Sequence, residues 1–172
     1  NIAMYNTLHG IYLQTNCANN LLLENTIIEN TGYGVMIDGT CITNKVIGNI
    51  LINNVGGGFA APITTINFLN FIDGVFTHFI IDDLGGTTGS LTWEQAIKWV
   101  PLFEGNGTWG NPYMIEDLVI DARGTGNGIL IENSNVYFII RNCTIYNTGT
   151  GDYDGGIKLY NTDNGQLIDN NC

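Results

Sequence analysis

The sequence predicts an all-β fold, a parallel β-helix, and three observations carry that prediction. A repeat runs through the first third of the chain: Gly10-Ile11-Tyr12-Leu13 returns as Gly34-Val35-Met36-Ile37, and Leu23 to Asn30 returns as Ile47 to Asn54, always at the same offset, so that position 10 answers to 34 and position 25 to 49. A fixed period in the twenties marks units that stack on their neighbours. Each unit also holds two or three short runs of Ile, Leu and Val, broken by Asn, Gly, Thr and Asp, and none is long enough for a helix. Finally, three strands of roughly 4–5 residues at about 3.3 Å per residue, with their turns, fill one such coil, and successive coils then lie about 4.8 Å apart.

Residues 1–56 read as the C-terminal coils of one solenoid. Asn1 to Asn6 matches Asn25 to Asn30 position for position, and Asn1, Asn25 and Asn49 share one register. Stacked in this way they predict an Asn ladder, with amides bonding along the solenoid axis and satisfying polar groups against an apolar interior. The competing reading is a row of surface asparagines, which suit turns in any case. The repeat stops at Val55-Gly56-Gly57-Gly58, followed by Pro62.

Residues 57–104 read as a linker or cap. Ile63 to Phe68 and Thr77 to Ile81 have strand composition, with Asp73-Gly74 as a hairpin-type turn between apolar runs. Ser90 to Val100 is the helix candidate: Thr92 and Gln95 form a capping-box pattern, Trp93, Ile97 and Val100 share a face, and Pro101 ends it. The stretch from Phe59 to Phe103, about 45 residues, is small for an independent core, so it is expected to cover the end of a solenoid.

Residues 105–172 read as the N-terminal coils of a second β-helix. Ile115 to Asp121 aligns with Ile140 to Tyr146, and Gly128 to Ile131 aligns with Gly156 to Leu159 at a longer spacing. The surplus falls in a bulging loop, Thr148 to Gly155. Leu118, Cys143 and Asn171 are assigned to the ladder register, so the ladder is not expected to continue intact.

The stretch Gly105-Asn106-Gly107-Thr108-Trp109-Gly110-Asn111-Pro112-Tyr113-Met114-Ile115, followed by coils such as Tyr137 to Ile145, resembles the right-handed parallel β-helix repeat proteins. These have pectate-lyase-like architecture and occur among archaeal and bacterial surface and secreted proteins. The resemblance covers residues 1–56 and 105–172 and implies a right-handed fold and an extracellular or cell-surface setting. For activity it implies little, because such coils serve polysaccharide lyases, epimerases and adhesins alike.

Sixteen acidic residues against 5 basic ones give a net charge of −11, which speaks against nucleic acid and anionic membrane as partners. No apolar run has transmembrane length. A lyase or glycosidase site needs clustered carboxylates with a base beside them. Glu24, Glu29, Asp38, Asp121, Glu132 and Asp169 are instead scattered one per coil or turn, and the bases are limited to Lys45, Lys98, Lys158, Arg123 and Arg141. No catalytic residue and no cofactor is therefore assigned. Asp152 and Asp154, at i and i+2 in a Gly-rich loop, are candidate Ca²⁺ ligands, with an acidic solvated turn as the alternative; Asp82 and Asp83 are weighed in the same way. Trp93, Trp99, Trp109, Tyr113 and Phe103 fit either a sugar-stacking surface or, as expected from the nearby helix, an apolar plug. Cys17 and Cys41 share a register at about one strand spacing, which suits a disulfide as well as it suits stacked free thiols.

The functional expectation is an extracellular structural or interaction module, of surface-layer, adhesin or fibre type. A polysaccharide-binding or polysaccharide-degrading domain is the alternative. Asn1 stands at the ladder register and Asn171-Cys172 just past it, which predicts end-to-end assembly with further copies or continuation in a longer chain.

Overall fold

The computed structural model describes residues 1–61 and 66–172 and divides into two compact units, Asn1–Val75 and Phe76–Cys172. Each is built of right-handed β-helical coils. In the first unit, β1 (Ile2–Met4), β2 (Ile11–Leu13) and β3 (Leu21–Leu23) form one coil; β4 (Thr26–Ile28), β5 (Tyr33–Ile37) and β6 (Lys45–Ile47) form the next; β7 (Ile50–Ile52), β8 (Gly57–Ala60) and β9 (Ile66–Phe68) form a third. β10 (Phe71–Ile72) then opens a fourth. Strands stack in parallel: β1-β4-β7-β10, β2-β5-β8 and β3-β6-β9. Ala3, Ile27, Leu51 and Ile72 share one inward register, as do Ile11, Val35 and Phe59, and Leu22 with Val46. Ile27, Leu51, Ile72, Val35, Ile37, Leu22 and Val46 form the buried core of this unit.

This corrects the boundary at residue 56. Gly57–Ala60, Ile66–Phe68 and Phe71–Ile72 are coil strands and not a linker. Tyr33 pairs with Gly57 at the full period of the repeat, but Lys45 already pairs with Ile66, so the coil is cut short between β8 and β9 and the sequence echo is lost. Of the strand expected at Ile63 to Phe68, residues 63–65 lie outside the described residues. Asp73 and Gly74 both take positive φ, 50° and 98°, as a two-residue turn requires.

In the second unit, β11 (Val75–Thr77), β12 (Phe79–Asp82) and β13 (Tyr113–Glu116) belong to one coil, with α1 (Trp93–Trp99) in the long connection from β12 to β13. β14 (Val119–Asp121), β15 (Ile129–Ser134) and β16 (Phe138–Arg141) follow, then β17 (Thr144–Tyr146), β18 (Ile157–Thr162) and β19 (Gly165–Ile168). The stacks are β11-β14-β17, β12-β15-β18 and β13-β16-β19, all parallel. The second solenoid therefore does not start at 105, because Phe76 already pairs with Ile120 and Phe79 with Ile129. Both separations far exceed the period of the first repeat, so no search at that period detects them.

The helix forms as its sequence dictates. Thr92 accepts from the Gln95 amide while the Gln95 side chain accepts from the Thr92 N–H, completing the capping box. Its buried face is Trp93, Ala96 and Val100, with Ile97 half-buried. Trp93 stacks on Tyr113 at 4.6 Å and meets Phe138 at 5.6 Å, while Phe103 meets Phe79 at 5.5 Å. A parallel bridge from Leu91 to Ile81 extends the free edge of β12. The helix and its flanks thus close the apolar interior at that edge, where an uncovered strand would expose unpaired amides.

Corners repeat one device. A residue with positive φ turns the chain sharply, and the next residue points inward: Glu24 before Asn25, Glu29 before Asn30, Gly48 before Asn49, Asn53 before Asn54 and Leu69 before Asn70. The inward asparagine bonds to the coil below it. Opposite these corners, Gly10, Gly34 and Gly58 leave room for Ile27, Leu51 and Ile72, whose side chains come within 2.3–2.8 Å of where a Cβ would stand.

Candidate functional site

Among the described residues, three asparagine ladders hold the first unit together. Asn1 donates to Asn25 Oδ1 at 2.9 Å, Asn25 to Asn49 Oδ1 at 2.8 Å, and Asn49 to Asn70 Oδ1 at 2.9 Å. A second ladder runs Asn6-Asn30-Asn54 and a third pairs Asn20 with Asn44. Asn30, Asn44, Asn49, Asn54 and Asn70 share one geometry: Oδ1 also accepts a backbone N–H from the coil below, and Nδ2 also donates to a carbonyl just before that N–H. Asn49, for example, accepts from Asn25 N and donates to Leu22 O. The same pair of bonds locates the register in the second unit, where Asn170 accepts from Cys143 N and donates to Ile140 O. The ladder position is therefore Asn170, not Asn171; the loop between β17 and β18 shifts the offset to 27 residues.

Cys17 and Cys41 stack in register, but as free thiols and not as a disulfide. Cys17 N–H donates to Cys41 Sγ at 3.3 Å, and the thiols turn to different carbonyls, Gln14 O and Leu13 O. Burial and the neighbouring Cys41 thiol push the Cys17 thiol up.

Several carboxylates are spent on the fold. Asp82 accepts from the amides of Leu84, Gly86 and Thr87 and from Asn133 Nδ2, so it has no oxygen to spare for a cation. Asp83 holds Ser134 and Trp93 N, Glu132 accepts from Thr87 Oγ1, and Glu116 pairs with Arg141 at 2.5 Å. Asp154 turns back onto Gly151 N at 2.9 Å while Asp152 is exposed. Among the described residues no group of three His, Cys, Asp or Glu side chains stands where it could hold a metal ion.

Among the described residues, three surface features bear on function. On the first unit, alternate residues of β1, β4 and β7 face outward, and they are Ile2, Met4, Ile28, Ile50 and Ile52, with only Thr26 polar. On the second unit, Trp109 is 75 % exposed and stands edge-on to Tyr137 at 5.5 Å, overhanging a groove of about 160 Å³ lined by Pro112, Ile139, Asn164 and Gln166. Ile139 and Gln166 are outward register partners of β16 and β19, and the loop carrying Trp109 is pinned by Tyr137 N donating to Gly107 O at 3.0 Å. Of the aromatics read as a plug, Trp93, Tyr113 and Phe103 are buried, whereas Trp109 is not. The groove partners Tyr137 and Gln166 carry no local signal: the bond from Tyr137 N to Gly107 O brings the first to Trp109, and the register of β16 with β19 brings the second. The third feature is a pocket of about 220 Å³ lined by His78, Ile80, Thr125, Asn127 and Leu130. Burial and the Arg123 charge hold the His78 imidazole below its ordinary value.

Parallel coils, inward ladders and corner asparagines define a right-handed parallel β-helix repeat protein. In agreement, residues 1–65 match the family model described as a right handed beta helix region. Comparison with curated proteins and with solved structures gives no match.

Proposed function

We propose that the chain is an extracellular structural or interaction module whose first unit docks to a second copy of itself through the outward face of β1-β4-β7. The observation that carries this reading is the aliphatic face itself. A solvated sheet alternates apolar and polar residues, and strands apolar on both faces belong to sheets covered on both sides. Ile2, Met4, Ile28, Ile50 and Ile52 instead line up across three coils. Contiguous apolar patches of this kind mark association surfaces. The low charge content, 12 % of residues, and the abundance of Asn, Gly and Thr support an exported setting. Light scattering over a concentration series tests the docking: the wild-type mass should rise, and the Ile28→Thr/Ile50→Thr variant should stay at the mass of one chain. A wild type that holds the single-chain mass throughout would sink this reading.

A second reading rests on the Trp109 groove. An exposed indole offers a face to the C–H side of a pyranose, and the Asn164 and Gln166 amides match its hydroxyls. With a net charge of −11 the favoured ligand is a neutral polysaccharide, because an acidic one would be repelled. A glycan array with and without Ca²⁺ checks it. Retention on neutral glycans that Trp109→Ala abolishes is expected; binding untouched by that substitution would contradict it.

A further inference from the structure

We infer that Asn106 is an acceptor for N-linked glycosylation. Asn106-Gly107-Thr108 fits the acceptor pattern Asn-x-Ser/Thr with no proline between. The pattern alone is weak in a chain so rich in asparagine, and the structure separates its two occurrences. At Asn106 the side chain is exposed, and its Oδ1 is held from one side by Thr108 Oγ1 at 2.8 Å and Thr108 N at 3.3 Å. Oδ1 is thus turned inward to its own loop, and among the described residues Nδ2, the nitrogen that must form the new bond, has no hydrogen-bond partner. The loop is a tight turn, closed by Asn106 N on Asn111 O at 3.0 Å and by the Glu104–Met114 and Thr108–Asn111 bridges; it is pinned to the coil through Gly107 O, while Asn106 and Thr108 themselves face solvent. Glu104, exposed two residues ahead, offers a transferase a carboxylate to hold.

The other match, Asn142-Cys143-Thr144, is built into the solenoid. Asn142 Nδ2 donates to Asp117 Oδ1 at 2.6 Å, Cys143 faces the core at 1 % exposure, and Thr144 lies in β17. Asn142 is exposed, but its Nδ2 is already bonded and the Cys143-Thr144 backbone is paired between coils, so a transferase could seat this tripeptide only by unpicking a coil, and the folded chain offers Asn106 alone of the two.

The reaction is a group transfer from a lipid-pyrophosphate-linked oligosaccharide. The bond from the sugar C1 to the phosphate oxygen breaks and its electron pair leaves with the lipid pyrophosphate. Asn106 Nδ2 forms the bond to C1 and loses one proton to a base of the transferase. Nothing is oxidised or reduced. The natural occurrence of the modification rests on the exported setting proposed above, but the acceptor property does not, and the experiment below is independent of export.

The purified, folded full chain is incubated with a purified single-subunit oligosaccharyltransferase and its lipid-linked oligosaccharide, with a short acceptor peptide as control, and its intact mass is measured. The expected result is one oligosaccharide mass, mapped to Asn106, that is absent in Asn106→Gln and in Thr108→Ala, retained in Thr108→Ser, and unchanged in Asn142→Gln. Circular dichroism of each variant shows that the coils are intact. An unmodified folded chain beside a modified control peptide would overturn the proposal, as would modification that survives Asn106→Gln.

Discussion

The asparagine that follows a left-handed corner residue decides how coils register. Its amide replaces, for one N–H and one C=O of the coil below, the partners that a sharp corner takes away, and buried polar groups left without partners are costly. In Asn49→Leu, Asn25 N and Asn25 Nδ2 lose their acceptor and Leu22 O loses a donor. Urea denaturation should show a loss of at least about 2 kcal/mol, since each orphaned group costs about 1–3 kcal/mol. Glycine acts at this scale through space. A Cβ on Gly34 would stand 2.7 Å from Gly58 O and 2.8 Å from Leu51, whereas one on Gly39 meets nothing within 4 Å. Gly34→Ala should therefore cost about 1–3 kcal/mol, as overpacking does, and Gly39→Ala should leave the midpoint in place. The ladder through Asn25 and Asn49 was legible because its offset stays at 24 residues. Asn70 and Asn170 were not, because their offsets of 21 and 27 are set by loop lengths that only the folded chain reveals.

Among the elements, α1 was the easiest to read, since capping box, apolar face and terminating proline all lie within about a dozen residues of local sequence. Thr92→Ala should cost about 1 kcal/mol in thermal or urea unfolding, the usual worth of a cap. Trp93→Ala should cost about 3–5 kcal/mol, because it empties the space between Tyr113 and Phe138 and also removes the donor to Ser134 Oγ. The connection after β12 is held by Asp82. Burial pushes that carboxyl up, but the bonds from Asn133 and from the Thr87, Leu84 and Gly86 amides outweigh burial and hold it below the ordinary carboxylate range. A carboxyl depressed in the folded state adds stability that is present above its unfolded pKa and is lost as pH falls through its folded one. Urea midpoints measured from neutral to acid pH should fall, and Asp82→Asn should flatten that part of the slope. An unchanged slope would show that Asp82 is not depressed. Strand existence was legible from composition alone; membership of Gly57–Ala60, Ile66–Phe68, Phe71–Ile72 and Phe79–Asp82 in coils was not, because a short coil and a long insert both break the period.

For the whole molecule, the sequence carried fold and not site. Repeats report what faces inward, where every coil meets the same demand, whereas a binding surface is an exception to the repeat. The outward isoleucines were hidden among strand residues that also read as core, and Trp109 was read as a plug because it clusters with Tyr113 and Phe103 beside the helix in sequence, whereas in the fold those two are buried and Trp109 is exposed. Of the acids read as scattered, Glu132 holds Thr87; Asp82 and Asp83, weighed as cation ligands, tie the connection after β12 to β15 instead, and Asp82 is buried. All of this depends on coils being registered through asparagine amides. Nuclear magnetic resonance measures that contact directly, as a scalar coupling across the hydrogen bond from Asn25 Nδ2 to the Asn49 side-chain carbonyl. The coupling should be present there and from Asn30 to Asn54, with both side-chain amides slow to exchange. Amides that exchange as fast as those of exposed asparagines, with no coupling at either pair, would contradict the account.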